Sequence, residues 1–373
     1  MTDRPEFAQS ATGFPTNRRK RAASTLLRRG SIAWAVLWLA ACACRVQADD
    51  IQLRREMIAK AQQYLFSIQK DGAMGDSRKV TVTAAFVLAS LSSGCLPSDP
   101  ERGVAIRAAC DWILANGATG FLGGQEEPAA DHALACLMLA ELIGTPPQPD
   151  ERMRLYTRAE LALDYALRLQ DKAVGADYHG GWRRNDQTRV NDRMVTAWYL
   201  MVLRSMGLRG LTVPQASTDR AIEFVRASQK LGGDKPDELG GFSVDASGLP
   251  VASATAAGLC SLSLFDAGSE KAIAAASEWL SRHPPRWHGP NFFETNFFAA
   301  RGLYRTRQVD GGRAFGGYFA RLVRILRERQ DADGSFSFPP GHGAPILAMG
   351  RGYSTAMAVL ILNVDRGMIP MDK

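Results

Sequence analysis

The sequence predicts an all-α protein of six helical hairpins, with amphipathic outer helices around inner helices that are apolar on every side. Three observations predict it. Helices end repeatedly on a glutamine and a glycine turn: Gln69-Lys70-Asp71-Gly72; Gln170 before Gly180-Gly181-Trp182; Gln229 before Gly240-Gly241-Phe242; and Gln330 before Asp333-Gly334-Ser335-Phe336. The segment after each turn also repeats, opening on Thr-Ala and continuing as a nearly unbroken apolar run, from Val82, Val195, Ala254 and Ser354. The helices before and after the turn differ in periodicity, and no sustained strand alternation competes with them.

Along the chain, the first hairpin reads "AQQYLFSIQ" and then "VTAAFVLASL". The second inner run, "DHALACLMLAEL" from Asp131, departs from the Thr-Ala opening. The third and fourth hairpins return to it, with "LDYALRLQ" before "VTAWYLMVL" and "IEFVRASQ" before "ATAAGLCSLSL". The fifth inner run, "ETNFFAARGLY" from Glu294, departs again. In the sixth, Phe319, Leu322, Val323 and Leu326 share one face of the outer helix, with Arg321, Arg324 and Glu328 elsewhere; its partner "YSTAMAVLIL" is apolar all round. A helix dry on one face sits at a boundary, and one dry throughout is buried on all sides. Six such pairs close into a ring or stack as an open solenoid. The Gly/Pro-rich loops "GGQEEPAAD", "LGGDKPDELGG" and "FPPGHGAP" lie between outer and inner helices, at one level.

The turn has a structural reading. Glycine stops the outer helix because it adopts left-handed backbone geometry at little steric cost. The aromatic behind it packs down between neighbouring hairpins, and the glutamine hydrogen-bonds backbone at an adjacent helix end.

The chain has 373 residues and a formal charge of +7, but the charge is concentrated. Residues 1–48 hold eight Lys/Arg and two acids, and the remainder holds 37 basic and 36 acidic residues. A body so nearly neutral offers no basic surface for nucleic acid. Residues 1–48 read as an export leader, and residues 49–373 as a single domain. A basic region ending at Arg28-Arg29 precedes 14 uncharged residues, Ser31 to Cys44. A membrane span needs about 20 apolar residues. Two cleavage readings stay open, beside that of an uncleaved anchor. Leu39-Ala40-Ala41-Cys42 resembles a bacterial lipoprotein box, in which a lipidated Cys42 would attach the chain to a membrane. Val46-Gln47-Ala48 suits ordinary cleavage before Asp49. Either places the domain in the periplasm or on the extracytoplasmic side. Cys95, Cys110, Cys136 and Cys260 show no CxxC spacing and read as buried small hydrophobes, with a disulfide open in an oxidising compartment.

The turn motif resembles the Q-x-x-D-G-S-W/F repeat of squalene and oxidosqualene cyclases, shared more loosely by protein prenyltransferase β subunits. Gln330-Asp331-Ala332-Asp333-Gly334-Ser335-Phe336 matches best, the earlier turns are degenerate copies, and Tyr353-Ser354-Thr355-Ala356 with its apolar run is similar too. The resemblance covers roughly residues 51 to 367 and implies an (α/α)6 toroid, six inner helices lining a central cavity and six around them. It implies less about chemistry. The acidic D-x-D-D cluster with which these cyclases protonate their substrate is missing, and Asp331 and Asp333 sit in a structural turn. Protein prenyltransferases hold zinc with an Asp and a Cys two residues apart, and here Gly258 stands at that spacing from Cys260.

Chemistry is therefore sought where polar residues open the inner helices. Asp131, Asp192 and Glu294 are the candidate acids; as N-terminal residues they also suit backbone donors and the helix dipole. A carboxylate in an apolar cavity has a raised pKa and can act as a general acid. Trp198, Phe297 and Phe298 could face a cation through their rings. His132, Trp182, His342 and Tyr353 complete the candidate ligand contacts. No metal site and no cofactor are expected, since the five histidines show no metal-binding spacing and the glycine-rich stretches lack the setting of a phosphate cradle. Three functions fit: a non-catalytic toroid binding an apolar or extended ligand, or a partner protein, in its central cavity; an isoprenoid cyclase or transferase with a relocated acid, needing an apolar cavity of roughly several hundred Å3; and, less well supported, a polysaccharide lyase or hydrolase with carboxylates roughly 5–10 Å apart.

Overall fold

An apolar run with no wet face must be enclosed, and the chain encloses each inner helix with two others like it. The computed structural model describes residues 50–117, 120–124, 128–145, 148–170, 179–185, 187–188, 190–244, 248–340 and 347–367. Residues 1–55 form a unit of which only 50–55 are described, as helix. The predicted leader and Cys42 lie outside the described residues. Residues 56–373 form the second unit, and all that follows concerns it.

The outer helices are α1 (56–68), α3 (Gly103–Ala115), α5 (Pro149–Leu169), α7 (Gln215–Arg226), α9 (Glu270–Arg282) and α11 (Arg313–Arg329). The inner helices are α2 (Lys79–Ser92), α4 (Pro128–Ile143), α6 (Arg193–Leu208), α8 (Ala252–Leu264), α10 (Phe292–Arg305) and α12 (Gly350–Leu362). Each outer helix buries one stripe: Leu155, Ala159, Ala162, Leu163 and Ala166 on α5, and Tyr318, Phe319, Leu322 and Leu326 on α11. Every α4 residue after Pro128 is buried, as is every α2 residue after Lys79. The ring closes. α2 packs on α4, α4 on α6, α6 on α8, α8 on α10, α10 on α12 and α12 back on α2. The fold is an all-α toroid, and of ring and open solenoid the chain takes the ring. Its extended segments amount, among the described residues, to isolated bridges at the turns.

The turn motif is the joint between hairpins. Gln69, Gln170, Gln229 and Gln330 each donate Nε2 to a carbonyl in the opening turns of the next outer helix: Ala105, Ser217, Ala272 and Met57, at 2.8 Å in every case. The last of these runs from the end of α11 to α1 and so closes the outer layer. The glycine then presses against the next outer helix. A Cβ on Gly72, Gly120, Gly180, Gly240 or Gly334 would lie 2.1–2.5 Å from a backbone carbonyl oxygen there, and all five have positive φ. Only glycine supplies both the conformation and the clearance.

The buried residue after the glycine donates its N–H to the hydroxyl of the inner-helix threonine: Met74 to Thr83 at 2.9 Å, Trp182 to Thr196 at 3.0 Å, Phe242 to Thr255 and Phe336 to Thr355 at 2.9 Å. This explains why each inner run opens on Thr-Ala. A backbone N–H driven into the core needs an acceptor there. The side chains of Trp182, Phe242 and Phe336 are completely buried.

Candidate functional site

Inner helices bring their N-terminal ends to one mouth. A cavity of about 50 Å3 opens there, lined by residues of five of the six, from α2, α4, α6, α10 and α12. Its polar wall is Arg78, Arg184, Asn291, Glu294 and Tyr353, and Trp198 with Leu134 supplies apolar wall.

The three predicted carboxylates converge on this mouth. Asp131, in the first turn of α4, is fully buried. Arg78 donates both Nε (3.0 Å) and Nη2 (2.7 Å) to its Oδ1, and the Thr81 hydroxyl donates to the same oxygen. Asp131 Oδ2 has no hydrogen-bond partner among the described residues. Gly124 stands over it, where a Cβ would come within 2.8 Å of that oxygen. Arg78 holds this geometry in a left-handed conformation, φ 45° and ψ 44°, which is costly for a side chain of its size. Asp192 caps α6, its Oδ1 accepting from the N–H groups of Met194 (2.8 Å) and Val195 (3.0 Å). Its Oδ2 accepts from Arg184 Nη2 at 2.9 Å. Glu294, in the first turn of α10, accepts at Oε1 from the Tyr353 hydroxyl at 3.0 Å. Two of the three acids thus stand behind arginines that line the cavity, while Glu294 lines it directly.

Below the mouth the centre is filled. Trp198 stacks on Phe297 with ring centroids 5.3 Å apart and tilts against Phe298 at 4.8 Å. The buried Arg301 places its guanidinium 5.8 Å from the Phe297 centroid. The ring face proposed for a substrate cation already meets a cation of the chain.

Two predicted ligand contacts belong to the frame. His132 stands where the other hairpins have threonine: its Nδ1 accepts the Leu122 N–H at 3.1 Å, and its Nε2 donates to the Ala162 carbonyl at 3.1 Å. Both ring nitrogens are engaged between the layers, so it does not contact the mouth. Trp182 donates Nε1 to the Ala166 carbonyl at 2.8 Å and stacks on Tyr199, between α5 and α6. His342 lies outside the described residues.

Cys136 lies beside His132, Sγ 3.5 Å from Nε2, which raises the question of a reactive pair. Burial answers it, because it pushes the thiol far above its usual value and the imidazole down to about 4. Both stay neutral, and a nucleophile needs the thiolate. Cys95, Cys110, Cys136 and Cys260 are all buried and free, so the disulfide left open by the sequence is not formed. Among the described residues no group of three His, Cys, Asp or Glu side chains is placed to hold a metal ion.

The sequence reading missed Arg78 and Arg184. The available signal was their place in the segments that lead from a glycine turn into an inner helix, Arg78 directly before α2 and Arg184 two residues after Trp182.

Solved structures share this architecture. The type II terpene cyclase MstE from Scytonema, in complex with merosterolic acid A, is 16% identical, with a TM-score of 0.53 over 87% of this chain and 99% of that one. The GH76A α-1,6-mannanase from Salegentibacter sp. HEL1_6 is 9% identical, with a TM-score of 0.60 over 84% of this chain and 99% of that one. A glycosidase variant is 14% identical, with a TM-score of 0.51 over 86% and 98%. At these identities the likeness establishes the toroid fold. No family model and no curated protein matches the sequence.

Proposed function

We propose that this chain is an exported, non-catalytic toroid that binds an extended ligand or partner across the mouth formed by its inner-helix N-termini. One observation carries the reading: the mouth is small and internally paired. A cavity of about 50 Å3 has room for little more than a water or two. An isoprenoid chain needs roughly several hundred Å3. Asp131 and Asp192 are engaged by the guanidinium groups of Arg78 and Arg184, and neither acid lines the cavity. A ligand that fits lies over the opening, against Arg184, Asn291, Glu294 and Tyr353, and inserts at most a small group.

The alternative is an enzyme of the isoprenoid type, with Glu294 as acid, since it is the one carboxylate among the cavity-lining residues. A polysaccharide hydrolase has less support. Two of the mannanase structures are inactive variants in which two consecutive aspartates were replaced, and residues 56–373 of this chain contain no Asp-Asp pair.

The test is turnover. Purified protein incubated with geranylgeranyl diphosphate, squalene or α-1,6-mannan oligosaccharides should return each unchanged by mass spectrometry. Conversion that Glu294→Gln abolishes in a folded variant would overturn the reading. Export has its own measurement. The mature protein should begin at a lipidated Cys42 or at Asp49, and a chain that retains residues 1–30 and fractionates with the cytoplasm refutes export.

A further inference from the structure

The near-neutral total of residues 49–373 hides a segregation of charge. Five of the six outer helices carry as many acids as bases: Glu56 and Lys60 on α1, Asp111 and Arg107 on α3, four of each sign on α5, and two of each on α7 and on α9. α11 carries five arginines, Arg313, Arg321, Arg324, Arg327 and Arg329, against one acid, Glu328. Without α11, the 37 basic and 36 acidic residues of 49–373 become 32 and 35. The excess positive charge of the outer layer therefore sits on a single helix.

These arginines are exposed and not neutralised. On the other outer helices arginines meet carboxylates. Arg154 of α5 pairs with Asp111 of α3 at 2.6 Å, and Arg282 of α9 pairs with Asp237 at 3.7 Å and Glu278 at 3.8 Å. Among the described residues none of the five arginines on α11 pairs with a carboxylate. The acids that flank the helix are engaged elsewhere. Asp310 accepts the N–H groups of Gly312 at 2.9 Å and Ala314 at 2.6 Å, and Asp331 and Asp333 pair with Arg351.

The face has a definite pattern. Arg313, Gly317, Ala320, Arg324 and Arg327 follow one another at intervals of four, three, four and three residues, so they form one line along the helix. The middle of the line is small. Gly316, Gly317 and Ala320 are exposed, and a Cβ on either glycine would meet nothing within 4 Å. Neither glycine has positive φ. Glycine is, after proline, the poorest helix former, and nothing in the chain requires it at these two positions. A face reduced to its backbone between arginines lets a partner come close to the helix. The line spans about 21 Å at 1.5 Å per residue, so one small anion cannot engage both ends. It lies on the outer side of the ring and lines no part of the mouth. With no walls to enclose a ligand, it suits a partner that is itself an extended surface of negative charge.

We propose that the exposed face of α11 docks on a bilayer of anionic phospholipid, its arginines pairing with lipid phosphates, which a guanidinium grips through two N–H groups at once. The choice of a bilayer over another polyanion rests on the reading of residues 1–48 as an export leader, which brings the chain to a membrane. The reading of the mouth is not involved.

The probe is the full chain mixed with vesicles of phosphatidylcholine containing about one third phosphatidylglycerol, the bound fraction being read by flotation. Residues 1–48 are common to every variant, so their own affinity for vesicles cancels from the comparison. Arg324→Gln with Arg327→Gln should weaken binding about thirtyfold, since each arginine near an anionic surface accounts for about fivefold. Arg152→Gln with Arg168→Gln removes the same charge from α5, three outer helices round the ring, and should change binding by less than about twofold. Gly317→Glu, for which the chain has room, should weaken binding about fivefold. Equal losses in the two double variants, no loss in the α11 variant, or a loss of the same size on phosphatidylcholine alone overturns the proposal. So does tighter binding of soluble poly-glutamate, lost in the α11 variant, because the face would then take an acidic protein. Failure of the export reading shows instead in the mature N-terminus and leaves these ratios unchanged.

Discussion

Two neighbouring joints of the ring, after α7 and after α9, are built on the same two layers and differ in what fills them. After α7, Gln229 staples α9, Gly240 lies against the Ala275 carbonyl, and Phe242 enters the core with its N–H on Thr255. After α9, a stacked Trp279–His283 pair and a run of prolines leave a groove. A repeat protein satisfies its fold with identical joints, so a joint that abandons the pattern without losing the ring shows which of these contacts closure can do without.

Replacing the glycines tests that contrast most severely. Gly240→Ala puts a methyl 2.1 Å from the Ala275 carbonyl oxygen at a residue with φ +91°. Left-handed strain and overpacking together should cost roughly 2–5 kcal/mol in urea unfolding. A loss below roughly 1 kcal/mol would mean the joints are not rigid.

The second test concerns the joint after α3, where histidine replaces threonine. Burial lowers His132 from 6.5 to about 4. Between those values the unfolded chain binds the proton and the folded chain does not, so stability falls as pH drops from about 6.5 to 4. The loss from this one group is on the order of 3 kcal/mol at its limit. The stability advantage of wild type over His132→Asn should therefore shrink across that window, and an advantage constant with pH would remove His132 as the cause. The smallest effect belongs to the irregular joint. Gly289→Ala should change stability by about 1 kcal/mol or less, since the Cβ would meet only the Arg286 carbonyl of its own turn, at 3.1 Å, and at a residue without positive φ.

Much of the frame was legible in the sequence because its rules are local. The glutamine, the glycine, the inserted aromatic and the Thr-Ala opening recur at fixed order, and each does in the fold what its chemistry suggests. Closure was not legible, since it depends on Gln330 meeting Met57 across 273 residues. His132 was misplaced for an instructive reason. Read beside Asp131 it looks like half of a polar site, whereas set against Thr83, Thr196, Thr255 and Thr355 it is the residue that precedes an alanine and receives an N–H. Trp182 aligns in the same way with Phe242 and Phe336. At the mouth, the carboxylates were found by their position at helix starts. Their arginine partners were not, because Arg78 and Asp131 meet only through the packing of α2 on α4.

The bond from Gln330 to Met57 also limits how this architecture can change in length. An open stack of repeats gains or loses a unit at its end and keeps every remaining interface. Here the first and last hairpins are neighbours, so deleting one hairpin leaves a gap that no rearrangement of five can span at the same curvature. Variation in a lineage of such rings should therefore accumulate inside the loops, with the number of hairpins held at six.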